Sequence, residues 1–324
     1  MSSAAVLSLS HVSVAAGRRS ATRTLVDDVS LSVAPGECLG LVGESGSGKS
    51  MTLRAVLDLF PSEVAQSAGS VMFAGADGVL RERRPRDLRG DGVSMVFQEP
   101  MSSLNPTMRV GDLVAAGARA RGLSTQSARA LAERLLEEVG VPDASGRMRA
   151  WPHELSGGLR QRVMIAMALS IDPRLLLCDE PTTALDTTIQ AQVLALLKKL
   201  QEERGLSLVF VSHDLGVISR VADRTAVMYA GMIVEEAPTR ELIAHPRHPY
   251  TRALVAAMPS ATRRLGRLPT IPGSPPSAGN WPGGCRFEPR CAHATASCEV
   301  ARPELRLVAA DHVSACIRDE ELPR

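Results

Sequence analysis

The chain has 324 residues, enough for one large α/β domain and a smaller appendage, and its 37 basic and 35 acidic residues leave a formal net charge of +2. This balance excludes the strongly basic surface that marks many nucleic-acid-binding proteins. No apolar run approaches the ~18–20 residues that cross a bilayer, and the N-terminus lacks the basic and apolar regions of a signal peptide. We therefore expect a cytosolic chain that reaches a membrane only through partners.

Strand-like and helix-like stretches alternate along most of the chain, which predicts an α/β fold with a mainly parallel sheet. Apolar or alternating runs predict strands at 6–15, 25–34, 38–42, 93–97, 175–179, 206–211 and 226–229. Helical periodicity predicts helices at 50–59, 124–140 and 188–203, and a further one after Gly158.

Three regions follow from this order. Residues 1–98 and 172–245 form the predicted α/β core, and 99–171 form an inserted helical subdomain. Residues 246–324 form a C-terminal tail whose composition shifts to proline and cysteine, which predicts a small, loop-rich subdomain.

The glycine-rich stretch 43–50 fits the phosphate-binding P-loop pattern G-x-x-x-x-G-K-[ST], between a strand and a helix. Its glycines let successive N–H groups face phosphate oxygens, and the helix N-terminus adds its positive dipole. Lys49 is expected to reach the β- and γ-phosphates, and the Ser50 hydroxyl to bind Mg²⁺. The alternative is a plain glycine-rich turn with an exposed lysine. The predicted ATP-binding residues here are Gly43, Glu44, Ser45, Gly46, Ser47, Gly48, Lys49, Ser50 and Met51.

Two carboxylates, Asp179 and Glu180, end an apolar strand, where the carboxyl edge of a parallel sheet brings side chains to a phosphate loop. Asp179 is expected to hold Mg²⁺, directly or through water, and Glu180 to polarise the attacking water. Gln98 ends another strand and is a candidate ligand for Mg²⁺ or that water. His213 ends a third and is a candidate contact for the γ-phosphate. A surface acidic pair, and a structural Gln or His, are the alternatives.

Four further segments, read in order with the P-loop, resemble the ATPase subunits of ABC transporters. They are Gln98-Glu99-Pro100, the stretch 155–162 that begins Leu-Ser-Gly-Gly, Leu177-Cys178-Asp179-Glu180-Pro181, and Ser212-His213-Asp214. The resemblance implies a P-loop NTPase fold of the ABC type, in which 1–98 and 172–245 form a RecA-like nucleotide-binding core. It also implies catalytic roles for Glu180, His213 and Gln98.

The resemblance also implies a sandwich dimer. In the family, the segment matching Ser156-Gly157-Gly158 faces the γ-phosphate held by the other subunit, and Ala184-Leu185-Asp186 resembles a loop that crosses that interface. Ser156, Gly157, Gly158 and Asp186 are accordingly expected to bind ATP. ATP would close the dimer, and hydrolysis with phosphate release would reopen it and move a membrane partner.

Two stretches narrow the resemblance to the oligopeptide/dipeptide importer branch, which includes nickel importers. They are the run 97–106, and the tail segments 248–254 and 269–276. The implied partners are two transmembrane permease subunits, a second ATPase chain or a copy of this one, and an extracytoplasmic binding protein, without nucleic acid. The implied location is peripheral, on the cytoplasmic face of the cell membrane. Nickel or another solute, a soluble ABC ATPase and a small-molecule kinase are the alternatives, and the Leu-Ser-Gly-Gly segment argues against the kinase.

One position departs from the family. An aromatic residue shortly after the first strand usually stacks on adenine, but here the chain reads Val14-Ala15-Ala16-Gly17, and no aromatic residue precedes Phe60. We expect an aliphatic contact or a basic side chain to replace the stacking and nucleotide affinity to be lower.

The last forty residues contain Cys285, Cys291, Cys298 and Cys316, whereas Cys38 and Cys178 lie in apolar strands and are expected in the core. Disulfides are disfavoured in the cytosol, so four cysteines in a loop-rich segment suggest a structural metal site. Resemblance to importer tails favours a [4Fe–4S] cluster, since the spacings differ from those of common zinc modules. Zinc and four reduced packing cysteines remain the alternatives.

Overall fold

The computed structural model describes residues 5–17, 22–99, 103–183, 185–258 and 270–321. Pro100, Ala184 and Pro269, which belong to motifs discussed above, lie outside the described residues. The chain divides into two compact units. The first comprises Met1–Leu7, Val33–Gly36 and Phe73–Val209, and the second comprises Ser8–Ser32, Glu37–Met72 and Phe210–Arg324.

The strands within the described part are β1 (Leu7–Ala16), β2 (Arg23–Val33), β3 (Cys38–Val42), β4 (Val64–Ala74), β5 (Leu80–Glu82), β6 (Val93–Val96), β7 (Leu175–Asp179), β8 (Ser207–Ser212), β9 (Arg224–Tyr229), β10 (Met232–Pro238), β11 (Arg306–Ala309) and β12 (His312–Ser314). The helices there are α1 (Lys49–Leu57), α2 (Val110–Ala120), α3 (Thr125–Glu138), α4 (Ala144–Arg147), α5 (Gly157–Leu169), α6 (Thr187–Arg204), α7 (Leu215–Val221), α8 (Thr239–Ala244), α9 (Pro249–Ala257) and α10 (Ser297–Val300). Short 3₁₀ turns lie at Pro85–Leu88, Pro152–Glu154 and Glu288–Arg290.

In the first unit, β6 and β7 are parallel, with Val93 opposite Leu175 and Val96 opposite Cys178. Every residue of β7 is buried, as expected for an apolar strand covered on both faces. Helices α2, α3 and α5 pack against one another, and Leu135 and Leu136 of α3 are almost wholly buried. These helices lie within the stretch 99–171, where the sequence predicts a helical insertion.

In the second unit, β3 lies parallel to β9, and β9, β10, β12 and β11 continue as antiparallel neighbours. The turn between β9 and β10 has two central residues with positive φ, Ala230 at 46° and Gly231 at 83°. Such a turn matches the twist of adjacent antiparallel strands. The sheet of this unit is therefore more antiparallel than the sequence predicts.

All seven predicted strands and all four predicted helices are present, most with ends within two residues of the predicted ones. Five of the described strands, β4, β5, β10, β11 and β12, were missed. Polar residues and a glycine interrupt the first half of β4, β5 has only three residues, and β10 mixes apolar residues with Glu235 and Glu236. Cys38 and Cys178 are fully buried, which confirms them as core residues, and burial raises the pKa of the Cys178 thiol. None of the described helices has the length and apolar character required to cross a lipid bilayer.

Candidate active site

The P-loop connects β3 to α1 in a backbone path that requires glycine. A Cβ atom at Gly43 would lie 2.1 Å from the carbonyl oxygen of Met228, which is a direct clash with backbone. Gly46 and Gly48 have φ values of +78° and +106°, which side-chain-bearing residues rarely adopt. The loop is thus held in a tight curl directly before the first turn of α1.

The lysine of this loop is buried and folds back over it. Lys49 is 4% exposed, and its Nζ donates to the carbonyl oxygens of Gly43 at 2.7 Å and Glu44 at 3.0 Å. The alternative of an exposed lysine on a plain turn does not apply to this structure. The Oγ atom of Ser47 is buried and has no hydrogen-bond partner among the described residues, which suits a loop that receives phosphate oxygens.

In the first unit, the parallel register of β6 and β7 brings Gln98 and Glu180 together. Each lies two residues beyond the register pair Val96 and Cys178. The Gln98 Nε2 atom is 3.5 Å from a Glu180 carboxylate oxygen, a long hydrogen bond, and Thr183 Oγ1 donates to the same oxygen at 2.8 Å. Glu180 has a φ of 45°, a strained value that fixes its side chain at the end of the strand.

Asp179, the last residue of β7, is 1% exposed. Its burial excludes the alternative of a surface acidic pair for Asp179. An ionised carboxylate is buried only when it is hydrogen-bonded, paired or bound to a cation, which agrees with the expected role in binding Mg²⁺. Glu180 is half-buried and Gln98 is exposed, so both are accessible to a ligand.

The Leu-Ser-Gly-Gly segment begins α5. The Ser156 hydroxyl caps the helix by accepting the Leu159 N–H at 3.4 Å, and Ser156 and Gly157 are exposed. A Cβ atom at Gly158 would lie 2.7 Å from the Ile189 side chain of α6. The segment therefore offers a hydroxyl and a helix N-terminus at the surface, while Gly158 allows close packing of α5 on α6.

Asp186 is an exposed N-cap of α6. Its Oδ1 atom accepts the N–H groups of Thr188 at 3.0 Å and Ile189 at 2.9 Å. His213, in the second unit, follows β8 directly and is exposed, and Asp214 caps the next helix by accepting the Gly216 N–H at 2.7 Å.

The four C-terminal cysteines line a single cavity in the second unit, together with His248 and Phe287. None of them is in a disulfide. Burial raises the pKa of the Cys285 thiol, and that of Cys316 to about 11, so both are protonated near neutral pH in the absence of a metal. Among the described residues, no group of three or more His, Cys, Asp or Glu side chains is arranged to hold a metal ion.

Two sequence families match the chain. The family described as ABC transporter matches residues 26–183, and that described as oligopeptide/dipeptide transporter, C-terminal region, matches residues 234–298. A peptide import ATP-binding protein of Brucella melitensis biotype 1 is 49% identical over 311 residues, covering 92% of each chain. One from Brucella abortus (strain 2308) is 46% identical over 309 residues, covering 95% of this chain and 93% of that protein.

The chain belongs to the oligopeptide/dipeptide branch of the ABC transporter family. Solved structures agree with this ABC ATPase on the fold. The ATP-binding cassette MJ0796, in a dimeric post-hydrolysis state with ADP and Pi, has a TM-score of 0.62 and 27% identity, and covers 72% of this chain and 99% of that one. For cbiO1 of Clostridium perfringens the TM-score is 0.62 at 24% identity, with coverage of 74% and 91%. The predicted family, the ABC-type fold and the ATPase class are confirmed.

Two residues outside the predicted ATP site contact the P-loop of this ABC ATPase. Tyr250 Oη accepts the Glu44 N–H at 2.8 Å, and Arg290 binds the Glu44 carboxylate. Tyr250 stands in the tail segment that carries the family resemblance, and Arg290 directly precedes Cys291. No local spacing joins either residue to the P-loop, so the sequence provides no signal for these contacts.

Proposed function

We propose that this chain binds and hydrolyses ATP, as one half of a sandwich dimer, to drive the import of di- and oligopeptides through partner permeases. The observation that carries the proposal is the combination of the ABC transporter match over residues 26–183 with a C-terminal region of the oligopeptide/dipeptide transporter type. The names of the Brucella relatives support peptides as the substrate class.

In this proposal, the P-loop residues 43–51 bind the phosphates of ATP. The curled backbone presents N–H groups, the unpartnered Ser47 hydroxyl lies in the loop, and Lys49 is already inside it. On nucleotide binding, the Lys49 ammonium exchanges loop carbonyls for phosphate oxygens, a stronger charge-assisted contact. Ser50 in the second unit, and Asp179 and Gln98 in the first, each carry oxygen atoms of the kind that Mg²⁺ prefers and are the proposed ligands.

Glu180 is the proposed general base, and Gln98 and His213 are the other proposed catalytic residues. The Thr183 hydroxyl bonds one Glu180 oxygen, which orients the carboxylate that is proposed to polarise water. The exposed Gln98 amide and His213 imidazole are then available to the attacking water and the γ-phosphate respectively.

The second half of each ATP site is proposed to come from another ATPase chain. Ser156, Gly157 and Gly158 present a capped helix N-terminus at the surface, and Asp186 is exposed at the start of α6. An exposed helix N-terminus binds the charge of a phosphate on a partner molecule. Closure around two ATP molecules and reopening after hydrolysis would provide the mechanical stroke.

Two permease subunits, a second ATPase and an extracytoplasmic binding protein complete the proposed assembly, with this chain on the cytoplasmic face of the membrane. The support for these partners is membership of the transporter family and the C-terminal region. The binding protein and the permeases would select the solute.

A [4Fe–4S] cluster on Cys285, Cys291, Cys298 and Cys316 remains a finer part of the proposal. Its support is that four unpaired thiols line one cavity. Among the described residues, no group of three or more His, Cys, Asp or Glu side chains is arranged to hold a metal ion, so the shared cavity is the structural support for either metal. A [4Fe–4S] cluster is held by four cysteine thiolates, which matches the number of cysteines that line the cavity. Its role would be to hold a segment with little core of its own.

Metal analysis of an anaerobic preparation tests the cluster. About four iron and four sulfide per chain, with visible charge-transfer absorption, would support it. One zinc per chain would support the alternative metal, and absence of both after gentle purification would leave four packing cysteines.

The decisive test of function is reconstitution. The chain is copurified in mild detergent from its native membranes, its partners are identified, and ATP-dependent uptake of a labelled peptide into vesicles is measured with Glu180→Gln as the inactive comparison. Uptake of peptide by the wild type alone supports the proposal. Uptake of nickel without peptide would move it to another solute of the same branch, and recovery with ribosomes or DNA instead of permeases would overturn transport.

A further inference from the structure

Glu44, the first variable residue of the P-loop, is bonded from three directions. Its carbonyl oxygen accepts the Lys49 ammonium, and its N–H donates to the Tyr250 hydroxyl. Its carboxylate receives two parallel bonds from Arg290, Nη1 to Oε2 at 2.6 Å and Nη2 to Oε1 at 3.0 Å. This bidentate geometry is the strongest pairing between a guanidinium and a carboxylate.

Arg290 is itself fixed by its remaining donors. Its side chain is 4% exposed, Nε donates to the Pro272 carbonyl at 2.8 Å, and Nη2 also contacts the Gly273 carbonyl at 3.4 Å. Nη1 also donates to the Tyr229 hydroxyl at 3.2 Å. Every N–H of the guanidinium therefore has an acceptor, so the Arg290 side chain is held in one orientation while it bonds Glu44.

An aromatic cluster supports this arginine. Tyr229 and Tyr250, the two tyrosines of the chain, lie 4.6 Å apart between ring centroids, and Phe287 packs against them at 5.3 and 5.4 Å. All three rings are almost fully buried. In a chain with 3% aromatic residues, this concentration makes a rigid base for the two groups that hold Glu44.

We infer that Arg290 and Tyr250, both from the C-terminal tail, are positioning residues that hold the P-loop in its phosphate-binding shape through Glu44. They do not touch the phosphates; they fix the residue whose carbonyl holds Lys49. A loop that samples other shapes binds ATP more weakly. Its apparent dissociation constant equals the intrinsic one divided by the fraction of time that the loop spends in the competent shape. The C-terminal tail is thus required for full ATP affinity, because it fixes the shape of the P-loop. This inference rests on the proposed ATP binding.

The test is the dissociation constant for MgATP of the full-length chain and of Arg290→Gln, alone and in a Glu44→Gln background. Loss of a buried charge-assisted pair is expected to weaken ATP binding roughly tenfold or more. Arg290→Gln should add little once Glu44 is already Gln, because the arginine acts through that carboxylate. Steady-state hydrolysis should show a raised KM with kcat changed by less than about threefold, since saturating ATP selects the competent loop.

Arg302→Gln is the matched control. Arg302 is also a tail arginine bound to acidic side chains, Asp27 at 2.7 Å and Asp28 at 3.3 Å, and it should leave ATP affinity unchanged. Arg290→Lys, which keeps the charge and loses the fork, should recover part of the affinity. If Arg290→Gln does not fold, Tyr250→Phe removes only the hydroxyl that accepts the Glu44 N–H, and should weaken binding by about threefold to tenfold.

The outcomes are distinguishable. Failure of the wild type to bind MgATP would overturn the proposed function. Wild-type binding with unchanged affinity in folded Arg290→Gln, or in Tyr250→Phe where that variant replaces it, would overturn the positioning role and leave the function standing. Equal weakening by Arg290→Gln with and without Glu44→Gln would show that the arginine does not act through Glu44, which also overturns it.

Discussion

The catalytic end of β7 and the P-loop are held in opposite ways. Glu180 takes its position from neighbours: the register of β6 and β7 brings Gln98 to it, and Thr183 bonds it from three residues along the chain. Glu44 in the P-loop is held by Tyr250 and Arg290, which are 206 and 246 residues distant in sequence. The first region is therefore built by one pair of parallel strands and a contact three residues along the chain, whereas the second depends on the C-terminal tail.

This difference predicts different failures. Disruption at β7 should change the chemistry and leave the fold, because few distant contacts are lost. Disruption of the tail should change stability and nucleotide affinity and leave the chemical step almost intact, because tail residues do not touch the reacting atoms. The variants below separate these outcomes, in order of decreasing effect.

The largest effect is expected for Glu180→Gln. Removal of a general base typically costs 10²–10⁴-fold, so we expect hydrolysis to fall by roughly 10³-fold while ATP binding persists and the closed dimer accumulates. Phosphate release and equilibrium ATP binding measure the two halves of this statement. Glu203→Gln, at an exposed helical glutamate, is the control. Turnover at the wild-type rate in Glu180→Gln would exclude Glu180 as the base.

Lys49→Ala should come next and should affect binding as well as hydrolysis. The ammonium lies within the loop and exchanges two carbonyl contacts for phosphate contacts, worth about 3 kcal/mol, so ATP affinity should fall roughly 100-fold. Nucleotide titration measures it, with Lys199→Ala on an exposed face of α6 as the control. Unchanged affinity would mean that the loop does not bind phosphate through this lysine.

The contrast between the two regions also explains what the sequence could predict. The strands before Gln98 and Asp179 are short apolar runs, so their burial and their polar ends were visible in the sequence. The helix predicted to begin at residue 124 does begin there, and the Ser124 hydroxyl caps it by accepting the Ser127 N–H at 3.1 Å. These features depend on residues a few positions apart, and at that range the spacing along the chain determines the local structure.

The tail contacts could not be predicted, because spacing says nothing about a pair separated by most of the chain. Arg290 resembles any polar residue of a loop until the fold buries it against Glu44. Glu235 gives the same lesson. In sequence it is one of two adjacent glutamates within β10, yet it is fully buried and bonded to His312, 77 residues further along.

Glu235→Gln tests how firmly the tail is attached. The carboxylate accepts the N–H groups of Arg247 at 2.6 Å and His248 at 2.8 Å, and bonds His312 Nε2 at 2.7 Å. An amide cannot accept all three, so one buried donor loses its partner at a cost of about 2–3 kcal/mol. Chemical denaturation measures the loss.

The control for Glu235→Gln is the same substitution at Glu241, a partly exposed glutamate that contacts His245. It should cost less than about 0.5 kcal/mol, as exposed pairs do. Equal free energies of unfolding for the two variants would show that the buried Glu235 carboxylate does not stabilise the fold. That result would count against the importance of distant contacts in the second region.

Substitution of Asp186 is expected to have the smallest effect, and it separates a role in helix capping from a role in ATP hydrolysis. As the N-cap of α6 it accepts two N–H groups, so Asp186→Ala should cost about 1 kcal/mol of stability, whereas Asp186→Asn should retain the cap. Ser124→Ala removes a comparable cap from α3 and controls for helix fraying. If the cap is the whole role, Asp186→Asn will hydrolyse ATP at the wild-type rate. We expect a slower rate with unchanged stability, because the proposed dimer uses this exposed carboxylate at the partner's nucleotide, and equal rates would place Asp186 with the purely structural caps.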